Sequence, residues 1–331
     1  MNRLQELCAL PGVSGDEKEI RDYLYNFYID KNLGIIEDRL GSVFGVKKGN
    51  SDYNVMISSN MDESGLMISQ INDNGSMEFI VVGLYMKAWL NDQYVTLLDR
   101  HHKRLSGIVL RKGDDFVIDA GFKTKEEAEV AGVLVGNFVI VTPRFELLNQ
   151  SVAANNLSNR AGIEVGLKLL ESLENKNLNF NLNVGGISHS VVGQRGAITA
   201  TTSVHPDLAI VVDAAYVESW DDKDIFIRSF DKSLLPSQIL KQDLYEAAKA
   251  CGFMPQAHLT DLPTDGSFIH KSLSGTPTIV VVIPLKYKDS IYNVIDTQYL
   301  DNITTVLNHY LTTLNSKRIV ETQNCRGTRH E

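Results

Sequence analysis

The sharpest apolar-to-polar boundary in the chain runs through residues 55–65, VMISSNMDESG. Val55, Met56 and Ile57 are an uncharged run, the pattern of a strand buried on both faces. Ser58, Ser59, Asn60, Met61, Asp62 and Glu63 follow, and Gly65 ends the stretch. Open α/β sheets bind ligands beyond the carboxyl ends of their strands, which makes this polar exit a site candidate. An ordinary solvated loop would read the same way.

Upstream, Ile20, Tyr23, Leu24, Phe27 and Tyr28 fall at helical spacing behind Ser14 and Glu17, a capping-box pair, and predict a helix over 15–29. Residues 34–47 read as a strand pair. Downstream the texture changes. The runs 66–71 and 77–82 flank Asn72-Asp-Asn-Gly75, a hairpin signature. Further β-rich runs lie at 93–98, 106–111, 116–119 and 137–142, with one helix behind a second capping box, Thr124 and Glu127. Residues 65–150 are therefore expected to form a separate β-rich domain. It would be inserted into an α/β body made of residues 1–64 and 151–318.

That body resumes with a helix at 158–173, where Ser158 is a good N-cap, and strands at 180–186 and 208–212, the second ending at Asp213. A helix at 237–251 stops at Gly252, and a strand at 279–283 is closed by Pro284. Asp296 caps a last helix carrying Leu300, Ile303, Leu307, Tyr310, Leu311 and Leu314. His205, before Pro206, is read as a strand end. The polar run from Ser316 is read as frayed, with 319–331 disordered. The fold class expected is α/β, a mostly parallel sheet with helices on both faces.

Composition narrows the function classes. A hydrophobic content of 43% against 22% charged residues allows a large core. The net charge of −9 with no basic run argues against a nucleic-acid partner. No apolar run reaches the length of a membrane span or a secretory signal. Three distant cysteines, Cys8, Cys251 and Cys325, fit a reducing cytoplasm better than a disulfide framework.

Five segments together resemble one family: SSNMDESGLM (58–67), NNLSNRAG (155–162), SVVGQRGA (190–197), LAIVVDAA (208–215) and PLKYKDSIYNVID (284–296). They are similar to the dinuclear-zinc metallo-aminopeptidases of the glutamyl, deblocking and tetrahedral group. The stretch 116–141 is similar to that family's inserted dimerisation domain. The resemblance implies a two-zinc site with a bridging aspartate and a free glutamate as general base on the zinc-bound water.

The chain departs from that pattern at most positions. Asn60 stands where the resemblance implies a histidine, and an amide oxygen is a poor zinc ligand. Asp62, which would orient that histidine, is kept. Ser158 stands in place of the bridging aspartate, and Ser190 and Val191 in place of the base and ligand glutamates. Asp213 keeps its ligand position. Asp289 follows Lys286 and Lys288 where a histidine is implied, and either a hard cation or a lysine salt bridge would suit it. His189 is chemically able to act as a base but is expected to point away from Ser190. Asp265, in a Thr-Asp-Gly segment before His270, is a cleft-wall candidate. His101 and His102 read as a solvated loop that could serve a polar interface.

The oxygen-only remainder would suit a hard divalent cation if it held any metal. The expectation is no cofactor, or at most a divalent cation such as zinc, cobalt, manganese or magnesium. Crowded carboxylates need a compensating cation, for which Lys286 and Lys288 are the local candidates. The leading function is then a non-catalytic structural, regulatory or ligand-binding relative of the aminopeptidases. It would take a peptide or small molecule in the old cleft and form a dimer or dodecamer, alone or mixed with an active relative. The alternative is an active hydrolase with a rewired metal site that cleaves peptide N-termini.

Overall fold

The computed structural model describes residues 2–99, 101, 103–287 and 290–323. The chain opens with α1 (Asn2–Ala9) and α2 (Lys18–Asp30), then β1 (Gly34–Glu37), β2 (Val43–Lys47) and β3 (Asn54–Asn60). Next come β4 (Gly65–Ile71), β5 (Met77–Val82), β6 (Tyr94–Leu98), β7 (Arg104–Lys112), β8 (Asp115–Asp119), α3 (Lys125–Val130) and β9 (Phe138–Val141). The body resumes through β10 (Phe145–Leu148), β11 (Ser151–Ala154), α4 (Leu157–Ser172), β12 (Asn181–Ile187), α5 (Arg195–Val204), β13 (Leu208–Tyr216) and β14 (Asp224–Asp231). It ends with α6 (Gln238–Ala250), β15 (Met254–Thr260), α7 (Gly266–Ile269), β16 (Thr278–Leu285), β17 (Asn293–Asp296), α8 (Gln298–Thr313) and α9 (Ser316–Gln323).

The central sheet has eight strands in the order β1-β2-β12-β3-β13-β16-β14-β15. Its middle, β12-β3-β13-β16, is parallel, and antiparallel pairs flank it. The uncharged strands explain themselves by alternation. Val55, Ile57, Ile210, Val212, Ile279 and Val281 face a core shared with α1, α2, α4, α6 and α8. Met56, Val211, Phe226, Val280 and Val282 face a second core shared with α5 and α7. Helices thus cover both faces, as expected of such strands. The closeness of α4 is set by Gly162, where a Cβ would lie 2.4 Å from Ser59 Oγ and 2.6 Å from the Val212 carbonyl.

Strands β4 to β9 close into a six-stranded barrel, β4-β5-β8-β7-β6-β9, around its own apolar cluster. The predicted hairpin is β4–β5, and its turn needs Gly75 at φ +79°. Thr124 caps α3 through the Glu127 N–H as expected, while the Glu127 carboxylate accepts from Lys123 N.

Several boundaries differ from the sequence reading. The box at Ser14 does not form: α2 starts at Lys18, and the Ser14 and Glu17 side chains turn inward to Asp62 and His189. Ser158 is not the cap of α4. Asn156 holds the cap position, and Ser158 Oγ donates to Asn159 instead. Strand β16 runs through Pro284 because pairing with β13 continues to Leu285. Asp296 ends β17, and its carboxylate still accepts the Gln298 N–H at the start of α8. His205 ends helix α5, at φ +53°, and not a strand. The tail read as frayed from Ser316 is helical through Gln323. Ile319 and Thr322 are buried there, and Arg318 is held by Asp243 and Glu321. Residues 324–331 lie outside the described residues.

Candidate functional site

The retained polar positions gather at the carboxyl ends of β3, β12 and β13, on the face covered by α5 and α7. Asn60 closes β3 opposite Ile187 of β12. The next two residues leave the sheet, and the Asp62 side chain is fully enclosed.

Asp62 has found new partners. Its Oδ1 accepts from Ser190 N at 2.9 Å, and its Oδ2 from Val191 N at 2.9 Å and Ser14 Oγ at 2.6 Å. Burial pushes this carboxyl above the ordinary carboxylate range, and the bonds from Ser14, Val191 and Ser190 pull it back. The stretch at the glutamate positions thus turns its main-chain N–H groups onto Asp62. His189 starts that turn at φ +54°, a conformation uncommon for a residue with a side chain. Its imidazole points toward Glu17, with Nδ1 3.3 Å from Oε1.

Ser190 Oγ donates to Asp265 Oδ2 at 2.8 Å, which places the cleft-wall candidate against the general-base position. The other Asp265 oxygen is buried without a hydrogen-bond partner among the described residues. Burial lifts this carboxyl well above the ordinary range, with Asp62 and Asp213 adding to the lift. A raised folded-state pKa contributes stability in acid that is lost as pH rises through it. Asp265→Asn is therefore expected to match the parent in acid and exceed it as pH rises toward neutral. Thermal unfolding across pH checks this, and a variant that follows the parent curve throughout counts against a carboxyl raised by burial at Asp265.

Asp213 sits in β13, and its partner is a residue the sequence reading passed over. Arg228 of β14 is 2% exposed, with Nη2 3.4 Å from Asp213 Oδ2. Burial raises the Asp213 carboxyl and Arg228 opposes the rise. Arg228 was visible in principle as a charge inside DIFIRSFD, but neither β14 nor its neighbour β15 had been read as a strand. Of the two lysines proposed as counter-charges, only Lys286 is among the described residues. Lys286 lies over the Trp220 ring at 5.3 Å, and Lys288 and Asp289 lie outside the described residues. Likewise His102 falls outside them, while His101 N donates to Asp99.

Beneath the site, Glu63 and Arg160 form a buried ion pair at 3.2 Å. Arg160 also donates to the carbonyls of Leu7, Leu10 and Met61. Glu63 accepts from Gly12 N and Asn156 Nδ2. This pair ties α1, α4 and the loop after β3 together.

The donor set is a poor match for a zinc pair. Zinc asks for imidazole, thiolate or carboxylate groups. Asn60, Ser158 and Val191 present an amide, a hydroxyl and a hydrocarbon, while both Asp62 oxygens accept hydrogen bonds. Among the described residues no cluster of three or more His, Cys, Asp or Glu is placed to hold a metal ion. Among them, too, no helix is long and apolar enough to cross a membrane.

Known proteins agree with this architecture. The glutamyl aminopeptidase of Lactococcus lactis subsp. cremoris is 25% identical, over 98% of this chain and 99% of its own length. Among solved structures, the aminopeptidase APDkam598 from the archaeon Desulfurococcus kamchatkensis superposes with a TM-score of 0.93 at 23% identity. That match covers 100% of this chain and 98% of the archaeal one. The TET1 peptidase of Pyrococcus horikoshii, described as assembling into a tetrahedron or a large octahedral shell, gives 0.86 at 22% identity, over 95% and 99% of the two chains. The M42 glutamyl aminopeptidase family pattern spans residues 41–306, and the chain belongs to that family.

Proposed function

We propose that the chain is a non-catalytic member of the M42 aminopeptidases, keeping the family's fold and cleft without its zinc pair. One observation carries this reading. Ser190 and Val191 occupy the positions of the base and ligand glutamates, and their N–H groups are spent on Asp62. A seryl hydroxyl donating to Asp265 cannot take a proton from water as a glutamate would. The cleft would then bind a peptide or small molecule without cleaving it. Assembly into a homo-oligomer, a dimer or a dodecamer, is part of the proposal. The retained barrel supports it, as does the shell-forming behaviour described for the Pyrococcus horikoshii TET1 peptidase.

Purified protein incubated with aminoacyl-p-nitroanilides and Zn²⁺, Co²⁺ or Mn²⁺ is expected to release no nitroaniline above the buffer rate. Chelator-sensitive turnover that disappears in Asp213→Asn would overturn the reading. Sedimentation is expected to find an oligomer, and a lone monomer would remove the assembly claim.

A second reading has one observation in its favour. His189 lies beside Glu17, with Nδ1 3.3 Å from Oε1, and an imidazole next to a carboxylate is a known form of general base. A rewired hydrolase acting on peptide N-termini through His189 would show turnover that survives chelator and is lost in His189→Ala.

A further inference from the structure

We infer that Arg228 is the built-in cation of this cleft, occupying by its guanidinium the electrostatic role that a bound metal would play toward Asp213. The inference rests on the reading of the cleft as one without a zinc pair, and it adds what has replaced that pair.

Strand register carries the first part of the case. Asp213 pairs with Val282 and Phe226 pairs with the same Val282, so β13 and β14 flank β16. Side chains alternate along each strand. Val211 and Phe226 both face the α5/α7 side, and so do Asp213 and Arg228, each two residues further on. Because β14 runs antiparallel to β16, Arg228 is not level with Asp213, and its long side chain reaches diagonally across β16 on that shared face, with 3.4 Å between Nη2 and Oδ2.

The surroundings supply the second part. A 2%-exposed guanidinium needs an anion close by, since an unpaired buried charge is heavily penalised. Asp231, three residues on, is already committed to Thr264 Oγ1, Ser267 Oγ and Leu234 N. His258 lies opposite Arg228 on β15, and burial together with Arg228 lowers its tendency to take a proton, which disfavours a second positive charge there. Among the described residues that leaves Asp213 as the anion facing Arg228. Its Nε and Nη2 form no well-aligned hydrogen bond among the described residues, so the pairing acts through charge and not through a fitted bidentate clamp. A cation already fixed beside Asp213 also repels an incoming divalent ion, which makes the cleft resistant to metal as well as independent of it.

The test compares metal response in the full-length protein and four variants, using Mn²⁺ and Zn²⁺ as probes in isothermal titration and thermal unfolding. The parent is expected to bind neither ion at Asp213 and to unfold at the same temperature in chelator as in metal. Arg228→Met is expected to unfold at lower temperature in chelator and to recover in Mn²⁺, with affinity about tenfold or more above the parent. Arg228→Lys should behave like the parent, because it keeps the charge. Arg228→Met combined with Asp213→Asn should lose the metal response. Parent protein that takes up a divalent ion, with uptake abolished by Asp213→Asn, would overturn the inference, and that arm needs no Arg228 variant to fold. Arg228→Met no more metal-responsive than the parent would overturn it equally. Metal bound at Asp213 without turnover removes only the role given to Arg228. Turnover in chelator removes only the non-catalytic reading.

Discussion

Arg160→Met is expected to lower stability by about 3–5 kcal/mol, the cost of breaking a buried ion pair from one side. Arg160 is completely buried and makes its bonds from one guanidinium to three carbonyls and one carboxylate. Methionine matches its length and apolar stem but satisfies none of these acceptors. Glu63 would keep Gly12 N and Asn156 Nδ2, too little for a carboxylate that burial already pushes upward against the pull of Arg160. With Arg160 gone, the folded-state pKa of Glu63 rises further, so the variant's deficit should widen as pH rises through it. Urea unfolding at two pH values reads both effects. A loss under about 1 kcal/mol would mean the pair is worth no more than a surface bridge. Adding Glu63→Gln should return part of the loss, since the stranded charge is then gone.

The second large effect is expected at Asp62. Asp62→Ala should cost about 3 kcal/mol, because the Ser190 and Val191 N–H groups and the Ser14 hydroxyl all lose their acceptor. Hydrogen exchange localises the damage. The Ser190 and Val191 amides should exchange far faster in the variant, while amides of the barrel stay protected, since the barrel has a separate core. Uniform loss of protection would show that Asp62 supports the whole fold and not the loop over the cleft. Asp62→Asn should fall between the two, since the amide keeps one acceptor oxygen.

How far the chain could be read in advance depended on how local the physics was. The uncharged strand at Val55–Ile57, the Asn-Gly hairpin and the helix bearing Leu240, Leu244 and Ala248 follow from periodicity alone, and all are present. Elements whose stability comes from distant contacts were missed. Strand β15, MPQAHLT, is an edge strand with mostly exposed or half-buried residues, so no apolar run announces it. Strand β14 carries Arg228 in its middle, which breaks the apolar alternation that would mark a buried strand. Helix α5, RGAITATTSV, is rich in small and threonine residues of modest helix propensity and is held by packing. Ser14 and Glu17 illustrate the opposite error. They satisfy the local rule for a helix cap, yet Ser14 bonds to Asp62, 48 residues away, and Glu17 to His189, 172 residues away.

The candidate site shows the same division. The substitutions at Asn60, Ser158, Ser190 and Val191 could be read from position. Their consequence could not, because it depends on which groups meet in space. The present partners of Asp62 could not be read from sequence; in the structure it holds the Ser190–Val191 main chain. The counter-charge was sought in nearby Lys286 and Lys288; the structure places Arg228 of β14, across β16, 3.4 Å from Asp213, while Lys286 lies over Trp220.

The most direct test is anomalous diffraction at the zinc edge from crystals soaked in Zn²⁺. A cleft whose charge is balanced by Arg228 should show no anomalous peak beside Asp213, with the Arg228–Asp213 pair intact in the density. Two peaks about 3.5–4 Å apart, one of them ligated by Asp213 with Arg228 displaced, would contradict both the lost zinc pair and its replacement.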